Sequence, residues 1–338
     1  GLDDAVAEGF LVPPRALSVP LRFLRQGIAY DDLPDEEKEA WDLAEWDDAG
    51  PPPTAVEAAA LNTWLFNADT VDKVLATLMT EGHRVAGGDR LGKTIVFARS
   101  HEHAKFIAQR FDAAYPHYNG EFARVITHQT REAQSLIDSF SIPDKAPHIA
   151  ISVDMLDTGI DVPDVVNLVF FKPVRSKTKY WQMIGRGTRL RPNLYGPGQD
   201  KADFYIFDFC QNIEFFGGTI DPPAASVSPS LTERLFASRL AVLSKLHGRL
   251  PANATTSDGD DGTTSEAGLR VDLSLRLQEQ VKGMNLDNVL VRPHRRLVEA
   301  YSRSEAWTMV DAAAAHELAA HLAGLPTALK EDDEPAKR

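Results

Sequence analysis

Five short apolar runs between residues 94 and 209 constrain this chain more than any other feature. They are Thr94 to Ala98 (TIVFA), Ala123 to Thr127 (ARVIT), His148 to Val153 (HIAISV), Val165 to Phe171 (VVNLVFF) and Phe204 to Phe209 (FYIFDF). Their apolar residues run on without polar alternation, as in strands covered on both faces. Helical patterns separate them over Glu102 to Tyr115, Arg131 to Phe140 and Lys177 to Arg189. Strands alternating with helices predict βαβ units and therefore an α/β fold with a parallel sheet sandwiched by helices. In such a sheet, ligands are expected beyond the carboxyl ends of the strands.

The flanking regions read differently. Residues 1–68 are expected to be an irregular arm, because Pro13, Pro14, the acidic stretch Asp31 to Asp48 and the Pro51 to Pro53 cluster interrupt any pattern. A helix starts near Thr70, a plausible N-cap, with Val71, Val74, Leu75 and Leu78 on one face. The α/β domain is expected over 69–220. Residues 228–338 are expected to form a smaller helical region with a polar, mobile linker near 252–267. Length allows two domains, no apolar run is long enough to span a bilayer, and the first residues do not resemble a secretory signal, so a cytoplasmic setting is expected. The single cysteine, Cys210, suits a reducing compartment and is expected as a buried small hydrophobe.

The net charge of −13 argues against a polyanionic partner until its distribution is examined. Residues 1–89 hold 6 basic and 18 acidic side chains, whereas residues 90–192 hold 15 and 10. Lys172 to Arg191 holds seven basic residues and no acidic one, which is either a solvated face or the footprint a polyanion needs.

Gly87 to Thr94 (GGDRLGKT) fits the phosphate-loop pattern, but a phosphate loop joins a strand to a helix N-terminus, where N–H groups and the helix dipole converge. Here the preceding segment is helical and the following one a strand, so a turn is expected instead. The stretch Ser152 to Arg191 carries more. Gly159 allows close backbone approach, and Asp161 offers an acceptor suited to a ribose hydroxyl, although DTGID alone is equally an ordinary turn. Gln182, Arg186 and Arg189 fall four and three residues apart, so they share one helical face, and two arginines suit phosphate oxygens. Gly185 and Gly187 are costly inside a helix, about 1 kcal/mol each, which implies a backbone lying close to something.

TGID followed some twenty residues later by Q-x-x-G-R-x-x-R resembles motifs V and VI of superfamily 2 helicases and translocases, that is, the second RecA-like, P-loop NTPase-like lobe. The longer phrases LVPPRALSVPLRF, GGDRLGKTIVFARSHEHA, VITHQT and YIFDFCQNIEFF are similar to the R (motor) subunits of type I restriction enzymes, which are also labelled type III restriction res subunits or DEAD/DEAH-box helicases. The resemblance spans about residues 10–217. It implies that Gly159, Asp161 and Gln182 meet the nucleotide side of an ATP site and that Arg186 and Arg189 meet the γ-phosphate, an arginine finger among them. It implies nucleic-acid contacts at Ser152, Arg99, Ser100, Thr127 and His128, with Lys172 and Arg175 in the basic loop beside them. The implied cofactor is ATP with Mg²⁺, the metal held by a first RecA domain that these residues do not include. The implied partners are DNA, that first RecA domain with a nuclease domain, and methylation and specificity subunits. Another superfamily 2 repair or RNA helicase, or a module whose C-terminal helices dock on a partner subunit, are the alternatives.

Overall fold

The computed structural model describes residues 2–17, 19, 61–153, 155–156, 161–174, 176–216, 220, 229–249 and 265–329. Gly159, Arg175, the acidic stretch, the proline cluster and residues 252–264 of the linker lie outside them. The chain divides into two compact units, the first holding most of residues 1–227 and the second most of 228–338.

In chain order the first unit comprises α1 (Leu2–Ala7), β1 (Pro14–Leu17), α2 (Ala68–Glu81), β2 (Arg84–Val85), β3 (Arg90–Leu91), β4 (Lys93–Ala98), α3 (His101–Ala114) and β5 (Ala123–Val125). It continues through α4 (Ala133–Phe140), β6 (Ile149–Ser152), β7 (Val165–Phe171), α5 (Lys177–Ile184), β8 (Phe204–Asp208) and α6 (Asn212–Phe215). Six strands form one sheet in the order β1-β8-β7-β4-β6-β5, and every neighbouring pair is parallel. All five apolar runs are strands of it, and the expected α/β sandwich is present.

Alternation along the strands assigns the two layers. Ile95, Phe97, Leu168, Phe170, Phe204 and Ile206 share a core with Ala133, Ile137 and Phe140 of α4 and with Tyr180, Met183 and Ile184 of α5. The intervening Phe171 points to the other side, where its ring meets His103 of α3 at 4.8 Å. Helices therefore cover both faces, which is why the strands lack polar positions. β4 sits between β6 and β7 with all six residues buried, so the chain reverses its winding direction there.

Several boundaries differ from expectation. The arm is not wholly irregular: β1 is the outermost strand, paired from Pro14 opposite Phe204 to Leu17 opposite Phe207. The two prolines hid it, yet a proline opening an edge strand leaves no ladder partner unmet. Asn67, not Thr70, caps α2, its side chain accepting from the Thr70 amide at 2.9 Å. GGDRLGKT follows the strand β2, not a helix, and covers the turn from β2 to β3, β3 itself and the start of β4, with Gly87 and Gly88 at positive φ in the turn. A Cβ on Gly92 would lie 2.3 Å from Val166. Lys93 is buried, and its ammonium donates to the carbonyls of Lys145 at 2.6 Å and Pro147 at 2.8 Å, so it ties strand starts together and is turned away from any phosphate.

The most consequential difference is in α5. Ser176 caps it through the Lys179 amide, and it ends at Ile184, not at Arg189. Arg186 N–H and Gly187 N–H close tight bonds three residues back, to Met183 and Ile184, and the Thr188 hydroxyl donates to the Gly185 carbonyl. A Cβ on Gly187 would sit 2.2 Å from the Phe204 ring. The close neighbour implied by that glycine is therefore the first residue of β8. At Gly185 a Cβ would meet only carbonyls of its own turn, at 3.3 Å.

The second unit contains α7 (Leu231–Arg249), α8 (Glu266–Lys282), α9 (Arg295–Tyr301) and α10 (Ala312–Leu322) around Phe236, Leu240, Leu277, Trp307, Leu318 and Leu322. The apolar stripe from Trp307 to Leu322 is thus core. Ser265 caps α8, so the final residues of the expected linker are helix start. Cys210 is buried as expected. Among the described residues no helix is long and apolar enough to cross a membrane.

Two buried histidines give the first unit a pH dependence. Burial, with the Arg99 charge, holds His103 down to about 3, and burial with the Lys93 and Arg90 charges does the same to His148. The unfolded chain protonates both near pH 6.5, so stability is complete above that pH and is lost as pH falls toward 3. At pH 5.5 the loss should reach about 1.4 kcal/mol for each histidine. Urea titrations at pH 7.5 and 5.5 measure it, and His148→Gln should shrink the difference; identical stability at both values would contradict neutral burial. Gly187→Ala should cost roughly 1–3 kcal/mol by overpacking against Phe204, and Gly185→Ala under about 1 kcal/mol. An unmoved denaturation midpoint in Gly187→Ala would show that the Phe204 ring gives way freely.

Candidate nucleotide and nucleic-acid site

The residues expected to carry chemistry separate onto two opposite edges of the sheet. At the carboxyl edge, Arg99 and Ser100 follow β4, Thr127 and His128 follow β5, Ser152 ends β6, and Lys172 follows β7. Ser100 caps α3 by accepting from the His103 amide at 3.1 Å. His101, which sequence reasoning passed over, bonds the Thr127 hydroxyl at 2.8 Å and so joins the loop after β4 to the loop after β5. Thr127 N–H in turn donates to the Thr130 hydroxyl, which closes the THQT turn and leaves His128 exposed. Arg99 is half-buried and its guanidinium donates to the Asn62 side chain.

Two members of the expected nucleic-acid set have other commitments. Ser152 is fully buried, with its hydroxyl accepting from the Leu156 amide at 3.2 Å. Lys172 is 6% exposed and its ammonium donates to the Val153 carbonyl at 2.8 Å. Each braces the loop leaving β6, and neither presents its polar group to solvent. The path into α5 is braced as well. Asn212 accepts from the Val174 amide at 2.6 Å and donates to the Lys172 carbonyl and to Asp208. The Asp208 carboxylate also receives the amides of Cys210 and Ile213, and burial pushes its pKa up.

The nucleotide set lies at the amino edge, opposite to expectation. α5 starts beside the carboxyl edge and runs back across the sheet, delivering Arg186 to Arg189 to the place where the chain enters β1, β7 and β8. Because the helix stops at Ile184, Arg186 and Arg189 project from a turn, and their convergence with Gln182 does not come from a shared helical face. All three line a concavity of about 280 Å³, together with Asp161. Leu11, Val162, Gly185 and Thr188 complete its walls. The volume is just under the roughly 300–1,000 Å³ of enclosed ligand pockets.

Two ion pairs stitch the loop before β7 to the turn after α5. Arg189 Nε donates to Asp161 Oδ1 at 2.9 Å, with both side chains exposed. Arg191 Nε meets both oxygens of the buried Asp164, at 3.0 and 3.1 Å. The first pair, open to solvent, contributes little to stability, and an anion can replace its carboxylate. The basic run Lys172 to Arg191 is therefore not one patch: Lys172 is internal, Arg189 and Arg191 face carboxylates, and Lys177 is exposed at the far end of α5. Nearby Lys201 is a structural clamp, bonded to the carbonyls of Pro163 and Val165 with its pKa lowered by burial to about 7. Among the described residues, no cluster of three His, Cys, Asp or Glu side chains could hold a metal ion.

Residues 73–191, from within α2 to the Arg191 pair, match the helicase conserved C-terminal domain family. A segment of 124 residues is 36% identical to the endonuclease subunit of the type I restriction enzyme EcoKI of Escherichia coli strain K12, over 34% of this chain and 10% of that protein. The corresponding EcoAI subunit of Escherichia coli is 32% identical over 130 residues, 37% of this chain and 15% of that protein. The chain thus matches only a small part of either relative's length. In the solved structure of the ATP-dependent Type ISP restriction-modification enzyme LlaBIII bound to DNA, 22% of the chain overlays 85% of this one, at 13% identity and a TM-score of 0.36, a likeness that adds nothing to the topology above. Residues 73–191 thus match the helicase conserved C-terminal domain on a six-stranded parallel sheet, and about a third of the chain is similar to type I restriction enzyme endonuclease subunits.

Proposed function

We propose that this chain supplies the second RecA-like lobe of an ATP-driven double-stranded DNA translocase, the motor of a type I restriction R subunit. The observation that carries the reading is the convergence of Asp161, Gln182, Arg186 and Arg189 on one concavity in a domain whose relatives are such subunits. The geometry suits half of an ATP site. Two guanidiniums and a carboxamide can meet phosphate oxygens, and Asp161 can accept from a ribose hydroxyl once Arg189 leaves it for phosphate. Gly159 is proposed for close approach beside it.

The other half has to come from a first lobe. These 338 residues contain one phosphate-loop pattern, GGDRLGKT, and its lysine is spent on two backbone carbonyls. A first lobe would bring the phosphate loop, the Mg²⁺ ligands and the carboxylate that positions water. Mg²⁺ bound there neutralises charge on the transferred phosphoryl group. Arg189, reaching across the closed cleft, would act as the finger and Arg186 as a second phosphate contact. Arg99, Ser100, His101 and His128 at the opposite edge are proposed to meet the nucleic-acid backbone, making that contact sequence-independent and salt-sensitive. Methylation and specificity subunits are the proposed assembly partners.

The 338-residue chain alone should show no ATP turnover, and Lys93→Ala should lower its stability without touching nucleotide chemistry. Turnover by the chain that Lys93→Ala abolished would reinstate GGDRLGKT as a phosphate loop. In the intact two-lobe protein, Arg189→Ala should reduce duplex-stimulated ATP hydrolysis about a hundredfold or more while circular dichroism stays unchanged. Near-normal hydrolysis in that variant sinks the finger assignment, and stimulation by RNA in place of duplex DNA would redirect the reading to an RNA helicase.

A further inference from the structure

The concavity has two chemically different sides, and only one suits phosphates. Asp161, Gln182, Arg186 and Arg189 make the polar side; Leu11 and Val162 make an apolar one. Val162 is 4% exposed and serves mainly as core, whereas Leu11 is half-buried and belongs to the N-terminal segment, more than a hundred residues from every other lining residue.

Leu11 is held there by its backbone. Gly9, at φ +77, closes α1 by donating to the Val6 carbonyl, and the amides of Phe10 and Leu11 both reach the Ala5 carbonyl, at 2.9 and 3.3 Å. One residue later the Val12 amide donates to the Thr188 carbonyl at 2.9 Å, and β1 then pairs with β8. The segment is therefore tied on both sides of Leu11, and the Thr188 tie fixes it to the turn that carries Arg186 and Arg189. A side chain ordered before the ligand arrives loses little on binding. Phosphate has no use for an apolar wall beside its arginines, since burying a charged oxygen against aliphatic carbon is unfavourable. A ligand filling both sides must combine an anionic end with a flat apolar one.

We propose that Leu11 is the nucleobase-facing wall of this site, so that the N-terminal segment of the chain takes part in selecting a nucleotide over a bare polyphosphate. The inference rests on the ATP reading above. Asp161, lying between the two sides in chemistry, would take the ribose.

The test compares binding of Mg–ATP and Mg–tripolyphosphate to the full 338-residue chain, followed by amide chemical shifts, for wild type, Leu11→Ser, Leu11→Met and the double variant Arg186→Ala/Arg189→Ala. Wild type should prefer ATP. Leu11→Ser should weaken ATP about fivefold to tenfold, the value of one lost aliphatic contact, and leave tripolyphosphate unchanged. Leu11→Met, which keeps the apolar volume, should behave as wild type, and the arginine variant should lose both ligands. Equal weakening of both ligands by Leu11→Ser, or no weakening, overturns the base wall while the arginine result still supports the ATP reading. Failure of wild type to bind either ligand overturns the base wall as a feature of this chain, whereas binding indifferent to both arginines removes the ATP reading and this inference with it.

Discussion

The approach of the Gly187 backbone to the Phe204 ring decides where the turn that lines the concavity can be. With no Cβ in the way, the turn after α5 lies directly on the first residue of β8. The helix stops at Ile184, and the turn held against β8 by that contact carries Arg186 and Arg189 into one concavity with Asp161. A steric fact about one glycine thus sets the position of two charges, which is the usual way a buried packing requirement fixes surface chemistry.

The helix so terminated has a second role, because it spans the sheet from one edge to the other. Its Ser176 end follows the loop braced by Lys172 and Asn212, and its Gly185 end opens into the concavity. The helix, capped by Ser176, is fastened to the sheet between those ends through Tyr180, Met183 and Ile184.

Much of this was legible from the residues. Uninterrupted apolar runs gave five of the six sheet strands, since only strands buried on both faces tolerate them, and Val165 to Phe171 matches β7 to the residue. The GGDRLGKT decoy was legible too, because order of elements decides whether N–H groups can converge. What sequence could not supply was tertiary. Nothing local says that Gly187 answers to Phe204, so its glycine implied only an unnamed close neighbour. Lys172 and Ser152 looked like surface groups because their carbonyl and amide partners, Val153 and Leu156, are ordinary backbone. The spacing of Gln182, Arg186 and Arg189 implied a shared face that the helix ends too soon to provide. Leu11 and β1 were invisible behind two prolines that read as punctuation and serve as an edge.

That edge strand also shapes how the domain must be delimited. β8 has β7 on one side and only β1 on the other, so a shorter domain beginning at the α2 helix would present the whole hydrogen-bonding row of β8 to solvent. Phe204 to Asp208 is an apolar, five-residue strand, the kind of bare margin that recruits other chains into aggregates. The match to the helicase family begins at residue 73, yet the sheet beside β8 is complete only with residues 14–17, near the very start of the sequence.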